Sequence, residues 1–288
     1  MDLSIIIVSY NTKKLTEDCL TSVIRSLTHS TLTYEILLVD NVSTDGTREM
    51  LAKKFPTVKT ILNSENAGFG KANNQAIAKA EGDYVLLLNS DTIVLNNAIG
   101  KLVSFGKQHP NAFIGAKLLN VDRSAQTSCG PFLSLPVVFT ALFLKGDVLG
   151  ITRWSPNHVR KVDWISGACI LGPRKLFKNG LLFDEKIFMY MEEIDLLYRA
   201  KKKGISVFFY PRSLIVHLGG GSSSNKRKGP VLQIYRGLLY FYQKHHSAAA
   251  VGVLRLMLRA KALISWLVGV IVGNRYLKET YAEAYKLV

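Results

Sequence analysis

Cysteine is scarce in this chain, and its placement excludes two chemistries. Cys19, Cys129 and Cys169 are odd in number, far apart and without metal-ligand spacing. Neither a disulfide framework nor a zinc site is expected, and the three read as reduced core thiols of a cytosolic protein. Acidic residues are also short, 21 Asp and Glu against 37 Lys and Arg, for a formal net charge of +16. That balance asks for an anionic partner: nucleic acid, an anionic substrate or an anionic membrane surface. The excess lies partly in Lys226-Arg227-Lys228 and the C-terminal half, without an aromatic-basic recognition motif, so nucleic acid is not expected. Long apolar runs are missing too. Ala262 to Val272 is the longest purely apolar part of the C-terminal region and is about half of what a spanning helix needs. A positive leader is absent: Asp2 stands where a signal peptide would carry positive charge, and a strand begins at once, so no export is expected. There is no internal repeat.

What is present alternates. Leu3 to Val8, Tyr34 to Val39, Val58 to Leu62 and Val85 to Leu88 are aliphatic, β-branched runs suited to strands covered on both faces. Between them lie helical spacings, the first carrying Leu15, Leu20, Val23, Ile24 and Leu27 behind Thr12 as a cap. Strands alternating with helices predict an α/β fold with a mostly parallel sheet and right-handed crossovers. Val162 to Leu171 reads as one further strand. Ile205 to Tyr210 and Leu214 to Val216 read as two short ones. Pro131, Pro136 and Pro156 mark a long shaped loop of the kind that covers a site. Gly219 to Gly229 reads as a flexible basic loop, and Pro230 opens a C-terminal helical region. The expected division is 1–229 and 230–288. Within the latter, Ala248 to Gly273 is apolar apart from Arg255, Arg259 and Lys261, the pattern of a helix lying in a membrane interface. A helix packed on the protein's own core is the plainer alternative.

Polar residues gather where each early strand ends: Tyr10 and Asn11, Asp40, Asn66, then Asn89-Ser90-Asp91. Ligands of open α/β sheets bind at the carboxyl ends of strands. A carboxylate there holds a hard divalent cation, which in turn holds a diphosphate. Alternatively, Asn89 and Asp91 only start a turn. Gly68-Phe69-Gly70 is not a dinucleotide fingerprint, because Asn73 stands where a third glycine belongs. No Walker loop occurs. The glycines are expected to let the backbone pass close to a diphosphate, with Lys71 balancing its charge.

Ile5-Ile6-Ile7-Val8-Ser9-Tyr10-Asn11, Leu38-Val39-Asp40-Asn41, Asn66-Ala67-Gly68-Phe69-Gly70 and Leu87-Leu88-Asn89-Ser90-Asp91 occur in that order. Trp164-Ile165-Ser166-Gly167-Ala168, Phe183-Asp184-Glu185, Tyr190-Met191-Glu192-Glu193-Ile194-Asp195 and His217-Leu218-Gly219-Gly220 follow. Together they resemble family 2 glycosyltransferases, inverting enzymes of the GT-A fold that act on nucleotide-sugars, and most closely the bacterial rhamnosyltransferase-like branch. The resemblance covers roughly Met1 to Lys244. It implies that Tyr10, Asn11 and Asp40 line the base and ribose pocket, with Asn66, Gly68 and Lys71 near ribose and diphosphate. It implies Mg²⁺ or Mn²⁺ on Asp91, with His217 as a further ligand. Asn89 replaces the first aspartate of a strict DxD and is assigned to ribose or to the surroundings of the metal. The catalytic carboxylate falls on Glu193, where the family commonly has aspartate; Asp195 and Glu192 are the other acids in reach.

The expected partners are therefore a dTDP- or UDP-linked sugar, with dTDP-L-rhamnose foremost, and a polyprenyl-diphosphate-linked glycan acceptor. The expected location is peripheral, on the cytoplasmic face of the inner membrane. A non-catalytic sugar-nucleotide-binding module and a sugar-1-phosphate nucleotidyltransferase are the rival readings. The second wants a glycine- and basic-rich loop after the first strand, which Ser9 to Lys14 does not supply.

Overall fold

The opening aliphatic runs form the parallel half of a central sheet. The computed structural model describes residues 1–219 and 228–288. In chain order come β1 (Leu3–Ser9), α1 (Lys13–Leu27), β2 (Tyr34–Asp40), α2 (Thr47–Lys54), β3 (Lys59–Leu62), α3 (Phe69–Lys79), β4 (Tyr84–Asn89) and β5 (Thr92–Val94). The middle holds α4 (Ala98–Gln108), β6 (Ala112–Leu119), β7 (Cys129–Gly130), α5 (Leu135–Phe143), β8 (Arg160–Lys161), β9 (Trp164–Ile165) and β10 (Cys169–Pro173). Then come α6 (Arg174–Lys178), α7 (Glu192–Lys202), β11 (Ser206–His217), α8 (Lys228–His245), α9 (Ala248–Ile271) and α10 (Arg275–Lys286). The basic loop expected over 219–229, with Gly220 and the cation run, falls largely outside the described residues.

The main sheet runs β3-β2-β1-β4-β10-β6-β11-β5, with β8 beside β11. From β3 to β4 every pair is parallel. Beyond β4 the sheet is mixed, because β10 lies antiparallel between β4 and β6. Both faces are covered, which is why the strands read as unbroken apolar runs. Ile6, Leu37, Val39, Val85 and Leu87 join one core, and Ile5, Ile7, Leu38, Leu86 and Leu88 the other.

Three local expectations change. The strand expected from Val162 to Leu171 is two: β9 pairs with β7 in a separate small sheet, and β10 enters the main one. Ser166 to Ala168 make the step between them. The two strands expected after Gly204 are one, β11, with its register broken between Tyr210 and Leu214, around Pro211. Thr12 does not cap α1 with its side chain. Its hydroxyl instead joins Ser9, Thr16 and Ser90 in a buried network, which ties the end of β1 to the end of β4.

The C-terminal helices are built into the first core. Leu238, Phe241, Tyr242, Leu254 and Leu258 are buried there beside Leu196 and Leu197 of α7. Tyr242 Oη donates to Leu133 O at 2.6 Å. Helix α10, which the sequence reading did not anticipate, folds back on α9 at Gly269, where a Cβ would come 2.8 Å from Leu277 Cβ. Helix α9 turns Leu254, Leu258, Ala262 and Gly269 inward. It leaves Leu256, Leu263, Ile264, Leu267 and Ile271 exposed. Among the described residues no helix is long and apolar enough to cross a membrane.

Candidate active site

Strand register assembles the site. Ser9 pairs with Asp40 and Val8 with Asn89, so the carboxyl ends of β2, β1 and β4 lie side by side. On the far edge β11 runs antiparallel to β5 with His217 opposite Thr92, and Leu218 N donates to Asp91 O at 2.9 Å. That pairing closes a sequence gap of more than a hundred residues. Asp91 Oδ1 and His217 Nε2 stand 3.3 Å apart. Asn89 Nδ2 is 3.5 Å from the same ring nitrogen.

His217 is oriented from behind. Its Nδ1 lies 2.8 Å from Gln126 Oε1, and Gln126 Nε2 donates back to His217 O at 3.2 Å. A ring that gives its Nδ1 proton to an amide oxygen presents a bare Nε2 to the cleft, the tautomer a metal ligand needs. The two donor atoms are close enough to share one coordination sphere, and Mg²⁺ and Mn²⁺ are commonly held by few protein ligands plus phosphate oxygens. Among the described residues no group of three or more His, Cys, Asp or Glu could hold an ion. Asp91 and His217 would hold such an ion only as two of its donors, with a substrate diphosphate supplying others.

These residues open into a cavity of about 440 Å³, also lined by Asn66, Trp164, Arg153, Glu192 and Glu193. Of the expected nucleotide-sugar residues, Asn66 and Asn89 reach this cavity; Tyr10, Asn11, Asp40, Gly68 and Lys71 are not part of its wall. Asn11 and Asp40 instead organise the ends of β1 and β2. Asn11 Oδ1 accepts from Thr44 N at 2.8 Å, while Asp40 Oδ1 accepts from Arg48 Nε at 2.6 Å and Ser43 N at 3.1 Å. Asp40 Oδ2 is buried without a hydrogen-bond partner among the described residues, an acceptor left for something else. A larger cavity, about 650 Å³, opens elsewhere, around Arg25, His29 and Arg123, and contains none of the expected site residues.

The glycines at 68 and 70 have a packing reason of their own. A Cβ on Gly68 would lie 2.6 Å from Phe188 O, and one on Gly70 would lie 3.0 Å from Phe183 Cβ. Gly68 also holds φ +81°, a left-handed conformation that favours glycine. Packing of α3 against segment 183–188 explains both.

Helix α7 delivers the carboxylates. Tyr190 and Met191 precede it with φ of 66° and 78°, a strained entry that aims Glu192 and Glu193 into the cleft. Burial raises the Glu193 carboxyl above its ordinary range, partly offset by backbone N–H groups and the Arg153 charge. Burial raises Glu192 further, reinforced by repulsion from Glu193. Each has an Oε2 buried without a hydrogen-bond partner among the described residues. A half-buried carboxylate with one free oxygen and a raised pKa is suited to taking a proton.

Asp195 is different. It is not part of the cleft wall, is fully buried, and accepts from Arg199 Nε at 2.7 Å, Lys244 Nζ at 2.8 Å and His245 Nε2 at 2.7 Å. Burial alone would raise its pKa, but these donors hold it below the ordinary value. As a candidate base Asp195 is corrected to an anchor between α7 and α8. Two residues of the site escaped the sequence reading. Gln126 follows a short turn after β6 and carries no local signal; Arg153 lies in the expected covering loop.

Residues 4–126 match the family model described as Glycosyl transferase family 2. The chain is 27% identical over 252 residues to an N-acetylglucosaminyl-diphospho-decaprenol L-rhamnosyltransferase of Mycobacterium tuberculosis, covering 78% of this chain and 79% of that one. It is 28% identical over 160 residues to the rhamnosyltransferase WbbL of Escherichia coli, covering 52% and 60%. The crystal structure of GalNAc-T7 with UDP, GalNAc and Mn²⁺ superposes with a TM-score of 0.63 at 16% identity, over 90% of this chain and 55% of that chain. That likeness gives the GT-A fold, and the match of residues 4–126 together with these relatives makes the chain similar to family 2 glycosyltransferases, rhamnosyltransferases among them.

Proposed function

We propose that this glycosyltransferase moves L-rhamnose from dTDP-L-rhamnose, with inversion, onto a polyprenyl-diphosphate-linked glycan in cell-surface polysaccharide synthesis. The observation that carries the reading is one cleft with a metal-competent pair, Asp91 and His217, and a proton-accepting carboxylate, Glu193. Glu193 Oε2 takes the proton of the acceptor hydroxyl as that oxygen bonds to the anomeric carbon. The bond to the diphosphate breaks on the opposite face, so the configuration inverts. A bound Mg²⁺ or Mn²⁺ supplies Lewis-acid stabilisation to the departing diphosphate. Asp40, outside the cleft wall but with an Oδ2 that has no hydrogen-bond partner among the described residues, would accept from a pyrimidine. The mycobacterial relative, a rhamnosyltransferase acting on a decaprenol-linked glycan by its name, supports the donor and acceptor classes.

A peripheral place on the cytoplasmic face of the inner membrane follows from the same reading. The outer face of α9 exposes Leu256, Leu263 and Leu267, with Arg255 and Arg259 exposed near its start. Apolar insertion beside cations is how such a helix holds anionic lipid.

The test is a thermal-shift screen of nucleoside-diphosphate sugars with and without Mn²⁺, followed by transfer assays with the stabilising donor. A ligand at about 100 times its Kd adds roughly 2.7 kcal/mol to stability, readily measured. Stabilisation by dTDP-L-rhamnose that depends on Mn²⁺, with transfer to a lipid-linked glycan, is expected. Stabilisation without turnover on any acceptor leaves a binding module, and no stabilisation by any nucleotide-sugar overturns the reading.

A further inference from the structure

A second, smaller cavity of about 240 Å³ shares a wall with the cleft. Arg153, Trp164, Tyr190 and Glu193 line both. The cleft side is polar, with Asn89, Asp91 and His217. The other side is mainly aliphatic, with Leu133, Val138, Ala141, Leu142, Ile234 and Leu238, although Asp147 and Thr152 also line it. The turn after α5, which brings Asp147 to the cavity wall, also exposes an apolar path of side chains at the surface. Leu144, Val148, Leu149 and Ile151, in the turn after α5, are all exposed, and α5 itself packs on α9.

On the basis of the proposed acceptor class, we infer that this cavity is the acceptor lipid's site. Arg153 binds the diphosphate of a prenyl diphosphate, and the aliphatic pocket takes its first isoprene units. The Arg153 guanidinium lies over the Trp164 ring at 5.1 Å, a contact that orients it without consuming its fork of donors. It stands at the boundary between polar and apolar halves, where the charged head of an amphiphile must sit. Glu193 lies on the same wall, so a sugar hydroxyl carried just beyond the diphosphate would meet the proton acceptor. The pocket is smaller than the roughly 300–1,000 Å³ that encloses a drug-sized ligand. It therefore holds only the head-proximal part of a long chain, the remainder following the exposed apolar path.

The experiment is calorimetric binding to the full chain, with the donor cleft saturated by a nucleoside diphosphate and Mn²⁺. The probes are farnesyl diphosphate, geranyl diphosphate, farnesol and inorganic pyrophosphate. Expected affinities fall in the order farnesyl diphosphate, geranyl diphosphate, pyrophosphate. Arg153→Ala should weaken farnesyl diphosphate about tenfold or more, the loss of a charge-assisted contact. It should leave farnesol unchanged, and Arg153→Lys should recover part of the loss. Ala141 is exposed at the pocket, so Ala141→Trp fills it from outside without entering the core; farnesyl diphosphate and farnesol should weaken together. Binding that ignores both substitutions, or that vanishes once the nucleotide is present, overturns the inference. Because no probe is turned over, failure of the proposed transfer leaves these outcomes readable, and the thermal-shift screen judges that reading separately.

Discussion

Replacing Asp195 by asparagine tests the division of labour along α7. The substitution keeps shape and removes one buried negative charge that three donors share. An amide in its place sets an N–H₂ against donors and leaves Lys244 and Arg199 without their counter-charge. Breaking a buried ion pair from one side costs about 3–5 kcal/mol. Arg199 and Lys244 side chains keep 22% and 26% of their surface exposed, so water recovers part of that loss and the lower end applies. About 3 kcal/mol at roughly 2–4 °C per kcal/mol lowers Tm by about 6–12 °C.

Calorimetry or circular dichroism at neutral pH measures this, and the pH dependence supplies its sign. The folded Asp195 pKa is depressed, so its stabilisation is present above the unfolded value near 4 and is lost as pH falls through the folded value. The gap between wild type and Asp195→Asn should be full at pH 7 and shrink in acid. Turnover at a temperature where the variant is folded should stay within a few-fold of wild type. A variant that melts within 2 °C of wild type, by the ~6–12 °C estimate above, yet has lost turnover would falsify the anchoring role and return Asp195 to the chemistry.

Glu193→Gln should keep donor binding while kcat falls by roughly two to four orders of magnitude, and the acid limb of the rate profile should disappear. Because burial raises the Glu193 pKa, its ionisation destabilises the fold as pH rises through that value, so the glutamine variant should melt higher than wild type at pH 7 and converge with it below about pH 4. Gln126→Leu removes the group that orients His217; Mn²⁺-dependent donor binding should weaken about 10–100-fold, read by titrating Mn²⁺ at fixed donor, with Tm nearly unchanged without metal. Gly68→Ala forces a methyl to 2.6 Å from Phe188 O at positive φ, and should destabilise by about 1–3 kcal/mol in denaturant unfolding.

The parallel half of the sheet was legible because its strands are buried on both faces and announce themselves as aliphatic runs. Chain order and the polar residues at strand ends then gave one rim of the cleft. The other rim was not legible in residue pattern. His217 meets Asp91 only through antiparallel pairing of β11 with β5, and a three-residue strand carries too little pattern to be read. Gln126 belongs to a turn and is defined by what it holds. Some motifs of the resemblance serve packing. Phe183 of the Phe183-Asp184-Glu185 motif exchanges two hydrogen bonds with buried Asn74, and Asp184 accepts from Lys244 at 2.6 Å, so that motif joins α3 and α8. Helix α10 had local signals that the sequence reading passed over: Asn274 caps it by accepting from Leu277 N at 3.1 Å, and its residues are amphipathic at helical spacing.

Three acids within four residues of α7 show why residue type could not assign the base. Glu192, Glu193 and Asp195 share the helix N-terminus, whose dipole favours negative charge at each. At that level they are equivalent. Helical geometry separates them: Asp195 is turned away from the cleft that Glu192 and Glu193 line, toward the three donors from α7 and α8. Environment then sets the pKa values apart, downward where cations converge and upward where burial lacks compensation. Of the two raised acids, Glu193 also lines the aliphatic pocket and feels the Arg153 charge, whereas Glu192 is more buried and bears the repulsion of its neighbour. An acid that must lose a proton to the solution and regain one from an acceptor needs both access and a counter-charge within reach. Glu193 has both, Glu192 lacks the second, and Asp195 has a counter-charge but no access.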